Sequence, residues 1–130
     1  MKVIYISRPL RKNLRSSYNL IQRAIEKKIR DKNITIDPDG RHSIISYLGW
    51  TEDAVIPLSE YYMFYDRRLD SIAKADLVIF IEDWMDLIEC KFDWEIMKLF
   101  KKTNHLTFKS SLDSNGEIDL KIAEGLPQKL

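Results

Sequence analysis

A chain of 130 residues, 45% hydrophobic and 32% charged, is long enough to form one domain with a real core, without disulfide or metal support. That balance excludes disorder as the main state, except toward the C-terminus, and the single cysteine, Cys90, excludes an intramolecular disulfide and fits a reducing compartment. The opening MKVIYISRPL is too short an apolar run for a signal peptide and no later run approaches bilayer length, so the expectation is a cytoplasmic protein that does not touch membrane.

The first element is KVIYIS, Lys2 to Ser7, a β-branched and aromatic run that reads as a buried strand. A helix follows in which Leu14, Tyr18, Ile21 and Ile25 share one face, ending around residues 31–33. ITID, residues 34–37, is expected to be a short strand that meets the turn DPDG, which gives β–α–β within forty residues. Residues 41–56 are the least legible, with a short helix expected over HSIISYL and then a loop.

From Pro57 a clearer helix begins, with Leu58, Tyr62, Tyr65, Leu69 and Ile72 on one stripe. Leu77 to Ile81 is apolar throughout, as in a strand covered on both faces. After a loop the pattern predicts a helix from about Phe92 to Lys101, then HLTF as a fourth strand. SNG signals a turn, and Ile118, Leu120 and Ile122 alternate with polar residues as in a final edge strand. The alternation of strands and helices predicts an α/β fold: a flavodoxin-like or Rossmann-like three-layer sandwich. Its mostly parallel sheet of four to five strands would carry helices on both faces. Residues 1–110 would form the body of the domain, and residues 111–130 an edge strand and tail packed on it.

Charge is unevenly spread along this framework. Between Arg8 and Lys32, nine basic residues face only Glu26 and Asp31; between Glu82 and Glu95, six acids face only Lys91. Both segments include loops that follow strands, where open α/β sheets bind ligands. Carboxylates there suit cleavage at an anomeric carbon, where positive charge develops on the sugar ring. From pattern alone they suit a solvated helix start better, since acids complement the macrodipole and are common at helix N-termini. Arg8, Arg11 and Lys12 suit an anion held at a helix N-terminus, or else a basic exposed helix. No GxGxxG or GxxxxGK[ST] motif supports a dinucleotide or NTPase site. His42 and His105 lack ligand spacing and Glu82, Asp83 and Asp86 read as hydrated, so no metal and no cofactor is expected. Trp84 is the indole best positioned to stack on a base, with Trp94 and Trp50 assigned to core or rim. Nucleic-acid binding by the first helix lacks a matching aromatic platform.

In their order and spacing, YISRPL, YDRRLDSIAKADLVIFI, FDWEIMKLF and NHLTF resemble the nucleoside 2-deoxyribosyltransferase superfamily, in particular its small phage and bacterial relatives that open on a YISGP-like strand. The resemblance spans roughly residues 1–110. It implies a flavodoxin-like fold acting on the N-glycosidic bond of nucleosides or nucleotides, with a homo-oligomer completing each pocket. It also implies Glu95 as nucleophile, with Asp93 as a less well-spaced rival, and Glu89 as an assisting acid. Tyr5 would lie beside the nucleophile, and Asp76 just ahead of the third clear strand. Arg8 and Arg11 would hold an anionic end. Departures accompany it: Arg8 stands where the family has glycine, and Lys91, Phe92 and Asp93 where it has a small residue. Arg67 and Arg68 crowd the helix position at which an acid is expected, and Asp66 comes early. Each departure narrows or recharges the pocket. The sequence therefore points first to an enzyme that cleaves or transfers the N-glycosidic bond through a glutamate nucleophile. A nucleotide-binding module that has lost catalysis is the alternative, and a protein-docking domain comes third.

Overall fold

The computed structural model describes residues 2–9, 15–30, 42–45, 58–82 and 84–124. Five strands and three helices alternate along them: β1 (Lys2–Ile6), α1 (Arg15–Arg30), β2 (His42–Ile45), α2 (Leu58–Lys74), β3 (Leu77–Ile81), α3 (Ile88–Leu99), β4 (His105–Leu112) and β5 (Ile118–Glu124). The sheet order is β2-β1-β3-β4-β5. The first three junctions are parallel, and β5 returns antiparallel on β4. This is a mixed α/β fold in three layers.

The period-two alternation of the central strands divides the core. Ile4, Ile6, Leu77, Ile79, Ile81, Leu106, Phe108 and Leu120 turn toward α1 and meet Tyr18, Ile21, Ile25 and Ile29, the i, i+3, i+7, i+11 stripe of that helix. Tyr5, Val78 and Phe80 turn the other way, onto Ile72, Ala75 and Met97 from the α2–α3 layer. All five residues of β3 are buried, so its unbroken apolar sequence serves two faces at once. Each fully buried isoleucine contributes about 1.5–3 kcal/mol relative to an exposed one.

Three expectations need correction. HSII is strand β2, paired in register with β1 from Lys2↔His42 to Tyr5↔Ile45, and not a helix. A β-branched pair beside the central strand is satisfied by parallel ladder bonds, which outweigh the weak helical pattern. The third helix starts at Ile88, four residues before Phe92, so Glu89 belongs to its first turn and not to a loop. On α2, Leu69 is exposed, whereas Arg68, Ser71 and Ile72 are buried. The stripe that packs on the sheet therefore runs through Arg68. The expected ITID strand, the DPDG turn, Leu14 and the start at Pro57 lie outside the described residues.

Candidate functional site

Ser7 directly follows β1, and its backbone N–H donates to the Ile79 carbonyl of β3. This pins the end of the first strand against its neighbour, beside the N-terminal turn of α3 and the middle of α2. Three side chains from β1, the residue after it and α2 converge on one carboxylate, Asp93. Arg68 grips it in two places, Nε to Oδ1 at 2.9 Å and Nη2 to Oδ2 at 2.5 Å. Tyr5 donates its hydroxyl to Oδ2 at 2.8 Å, and Ser7 Oγ donates to the same oxygen at 2.6 Å. Arg68 Nη2 also donates to the Arg8 carbonyl at 2.7 Å, tying α2 to the chain just beyond β1. The side chains of Arg68 and Asp93 are both 0% exposed.

The electrostatics follow from burial. Burial pushes the Asp93 carboxyl up, against the pull of Arg68, Ser7 and Tyr5. Burial also works against the Arg68 cation, yet Tyr5 and Asp93 beside it hold its pKa above the ordinary value. Tyr5 is raised well above 10 by burial and then by the neighbouring Asp93, so it remains a phenol and a donor. Cys90, one helical turn before Asp93, has its thiol pushed up to about 12, chiefly by burial, with a hydrogen bond to Ser7 acting in the opposite sense. At neutral pH it is an inert thiol.

The resemblance implies Tyr5 beside Glu95; the structure instead joins Tyr5 to Asp93 and separates Glu95 from both. Asp93 lies on the buried face of α3 with Cys90 and Met97. Glu95, two residues on and about 200° around the helix, is 62% exposed and pairs with Lys98 at 3.1 Å. Glu89 is 4% exposed, and its Oε2 is buried without a hydrogen-bond partner among the described residues. Arg68 Nη1 is a second such atom.

Arg8 is buried too, but its guanidinium turns onto α1, donating to Gln22 Oε1 at 2.7 Å and Asn19 Oδ1 at 2.8 Å. Asp76 works at the other end of the sheet. Its carboxylate accepts the Val3 N–H at 2.8 Å while its own N–H donates to the Val3 carbonyl, which locks β1 to the start of β3. Trp84 opens a single 3-10 turn, Trp84–Asp86, between β3 and α3. Trp94 is half-buried, edge-on to Phe80 and His105. Arg11, Trp50 and Asp83 lie outside the described residues.

Sequence reasoning missed Arg68 as the partner of Asp93, although two signals carried it. Arg68 lies four and seven residues before Ile72 and Ala75, and Asp93 lies between Cys90 and Met97; both spacings put a charge on an apolar stripe. Among the described residues no group of three or more metal-ligating side chains forms, and no helix is long and apolar enough to cross a membrane. Comparison with family models, with curated proteins and with solved structures found no match.

Proposed function

We propose that this chain is a nucleoside- or nucleotide-binding module built on a flavodoxin-like, deoxyribosyltransferase-like fold, in which a structural ion pair occupies the position of the catalytic carboxylate. The strand order 2-1-3-4-5 supports the fold assignment, since it is the flavodoxin-like order with its ligand crevice between the ends of the first and third strands. The Asp93 cluster stands at that switch point. The ligand class rests on the likeness of YISRPL, YDRRLDSIAKADLVIFI and FDWEIMKLF to the deoxyribosyltransferases.

One observation carries the loss of catalysis: Asp93 is sealed from solvent and accepts four hydrogen bonds, two of them from Arg68. A nucleophilic carboxylate needs a free lone pair within about 3–3.5 Å of the anomeric carbon. Asp93 lacks that access, and Oδ2 alone accepts three of the four hydrogen bonds. Glu95 has access but lies on the solvent side of α3, engaged with Lys98 and remote from Tyr5 and Ser7.

A second reading has an observation of its own. Glu89 is buried in the first turn of α3 with one oxygen unpartnered among the described residues, as expected of a carboxylate waiting for substrate. On this reading the Glu89 carboxylate attacks the anomeric carbon as the N-glycosidic bond breaks and the base departs with a proton from solvent; water or a second base then cleaves the glycosyl ester and frees the carboxylate.

Incubation with the four deoxynucleosides and their 5′-monophosphates, followed by chromatography of released base and by melting curves, separates these readings. A rise in melting temperature without base release supports the binding module. Release that disappears in Glu89→Gln and survives in Glu95→Gln supports Glu89 catalysis. Release abolished by Glu95→Gln alone would overturn both. Neither release nor a melting shift would reject nucleosides as the ligand class.

A further inference from the structure

We propose that β5 is a self-complementary dimer edge, along which a second copy of this chain adds its own β5 antiparallel, about a twofold axis through Leu120. The inference is independent of what the Asp93 site binds. It starts from the hydrogen-bond parity of the β4–β5 hairpin. The Asp113 N–H donates to the Glu117 carbonyl at 2.8 Å, so the 113–117 pair is hydrogen-bonded, and pairs alternate from there. In the register Leu112↔Ile118, Ser111↔Asp119, Ser110↔Leu120, Lys109↔Lys121, Phe108↔Ile122, the bonded residues of β5 are Asp119 and Lys121. The N–H and C=O groups of Ile118, Leu120 and Ile122 therefore point away from β4. β5 ends the sheet order, so among the described residues no strand meets them.

A second β5 can pair with this row in only a few registers, and charge selects among them. With the axis at Leu120, Ile118 of each copy opposes Ile122 of the other and Leu120 opposes Leu120. All three pairs have the correct parity, and together they exchange about six backbone hydrogen bonds. Asp119 of each copy then falls opposite Lys121 of the other, in non-hydrogen-bonded pairs, where side chains come closest. A shift of the partner by two residues in one direction sets Asp119 against Asp119. The opposite shift sets Lys121 against Lys121. Only the central register turns both charges to advantage while pairing the whole of Ile118 to Ile122.

The apolar face agrees. Residues 118, 120 and 122 point to the α1 side, where Leu120 is buried but Ile122, Leu112 and Leu20 are all exposed. Leu112 and Leu20 also line an open groove of about 460 Å³ between α1 and the hairpin, with Ala24 and Ile118. The central register brings Ile122 of each copy beside Ile118 of the other, at the side of that groove. It covers apolar surface and the open strand edge in one step.

Sedimentation equilibrium over a wide concentration range is the test, with circular dichroism confirming that each variant folds. The wild-type chain is expected to dimerise. Asp119→Lys and Lys121→Asp, each alone, set like charges opposite one another and raise the dimer dissociation constant roughly tenfold. The double variant Asp119→Lys/Lys121→Asp restores it. The two single variants mixed in equal amounts form a heterodimer, because one strand then carries two lysines and the other two aspartates. A wild type that stays monomeric, or single variants that dimerise as tightly as wild type, overturns the proposal.

Discussion

Asp93 and Glu95 stand two residues apart on one helix and have little else in common. Asp93 is fully buried and bonded by Arg68 of α2 and by Tyr5 and Ser7 at the end of β1. Glu95 is mostly in water and touches only Lys98, three residues further along its own helix. Both are carboxylates paired with a base, so the existence of a pair does not distinguish them. Burial and the sequence distance of the partners do. A contact such as Lys98–Glu95 is open to water in the folded and unfolded chain alike, whereas Asp93 draws α2, α3 and the end of β1 to one point and has no alternative solvent to turn to. Two residues of helical rotation separate an ion pair that organises the fold from one that decorates it.

This contrast can be broken most severely at Arg68. Arg68→Ala leaves the Asp93 charge buried with only two hydroxyl donors, and is expected to cost about 3–5 kcal/mol in urea denaturation. If Arg68→Met/Asp93→Leu recovers most of that loss, the cost belongs to the uncompensated charge and not to missing volume. Tyr5→Phe removes one donor to the same charged oxygen and should cost about 1.5–3 kcal/mol by the same measurement. An intact stability would mean that Ser7 and Arg68 suffice.

The next effect depends on pH. The Cys90 thiol ionises near 12 in the folded chain and near 9 when unfolded. Between those values the unfolded chain binds fewer protons, so stability falls as pH rises. At pH 10 the loss due to Cys90 is on the order of 1 kcal/mol. Unfolding of wild type and Cys90→Ala at pH 8 and pH 10 should therefore show a shallower alkaline decline in the variant. The smallest effect is expected at the surface. Glu95→Gln should change stability by less than about 0.5 kcal/mol, and the change should vanish in high salt. A large loss there would undo the contrast between the two carboxylates.

Much of the fold was legible because the central strands speak with one voice. LVIFI is apolar at every position and is buried at every position, and the alternation of Ile118, Leu120 and Ile122 marked β5 together with its turn. The stripe of α1 was readable for the same reason. β2 was misread because four residues carry too little period to separate strand from helix, and what decides is the neighbouring β1, which lies far away in sequence. The site was half legible. The acids after β3 were found from their place at a strand end, and Tyr5 only through the resemblance. Choosing Glu95 over Asp93 followed motif spacing where the helical phase of Cys90, Asp93 and Met97 gave the orientation. Arg68 was hidden because a stripe drawn through Leu69 looks more apolar, and a buried cation is explained only by its partner on another helix.

The strand order has a consequence for how the chain assembles. β3, α3, β4 and β5 follow one another closely and pair with sequence neighbours, so this half can form from local contacts. β1 is the first strand in the chain, yet it lies between β2, about forty residues away, and β3, more than seventy away. Its two edges close the longest loops among the strand pairings of the described residues, and such closures lose the most chain entropy before any contact compensates. During synthesis β1 emerges first and must wait for the strands on either side of it. The reciprocal pair between Val3 and Asp76 is then the latch of the last strand to enter, and a nascent chain halted before residue 76 has no seat for it.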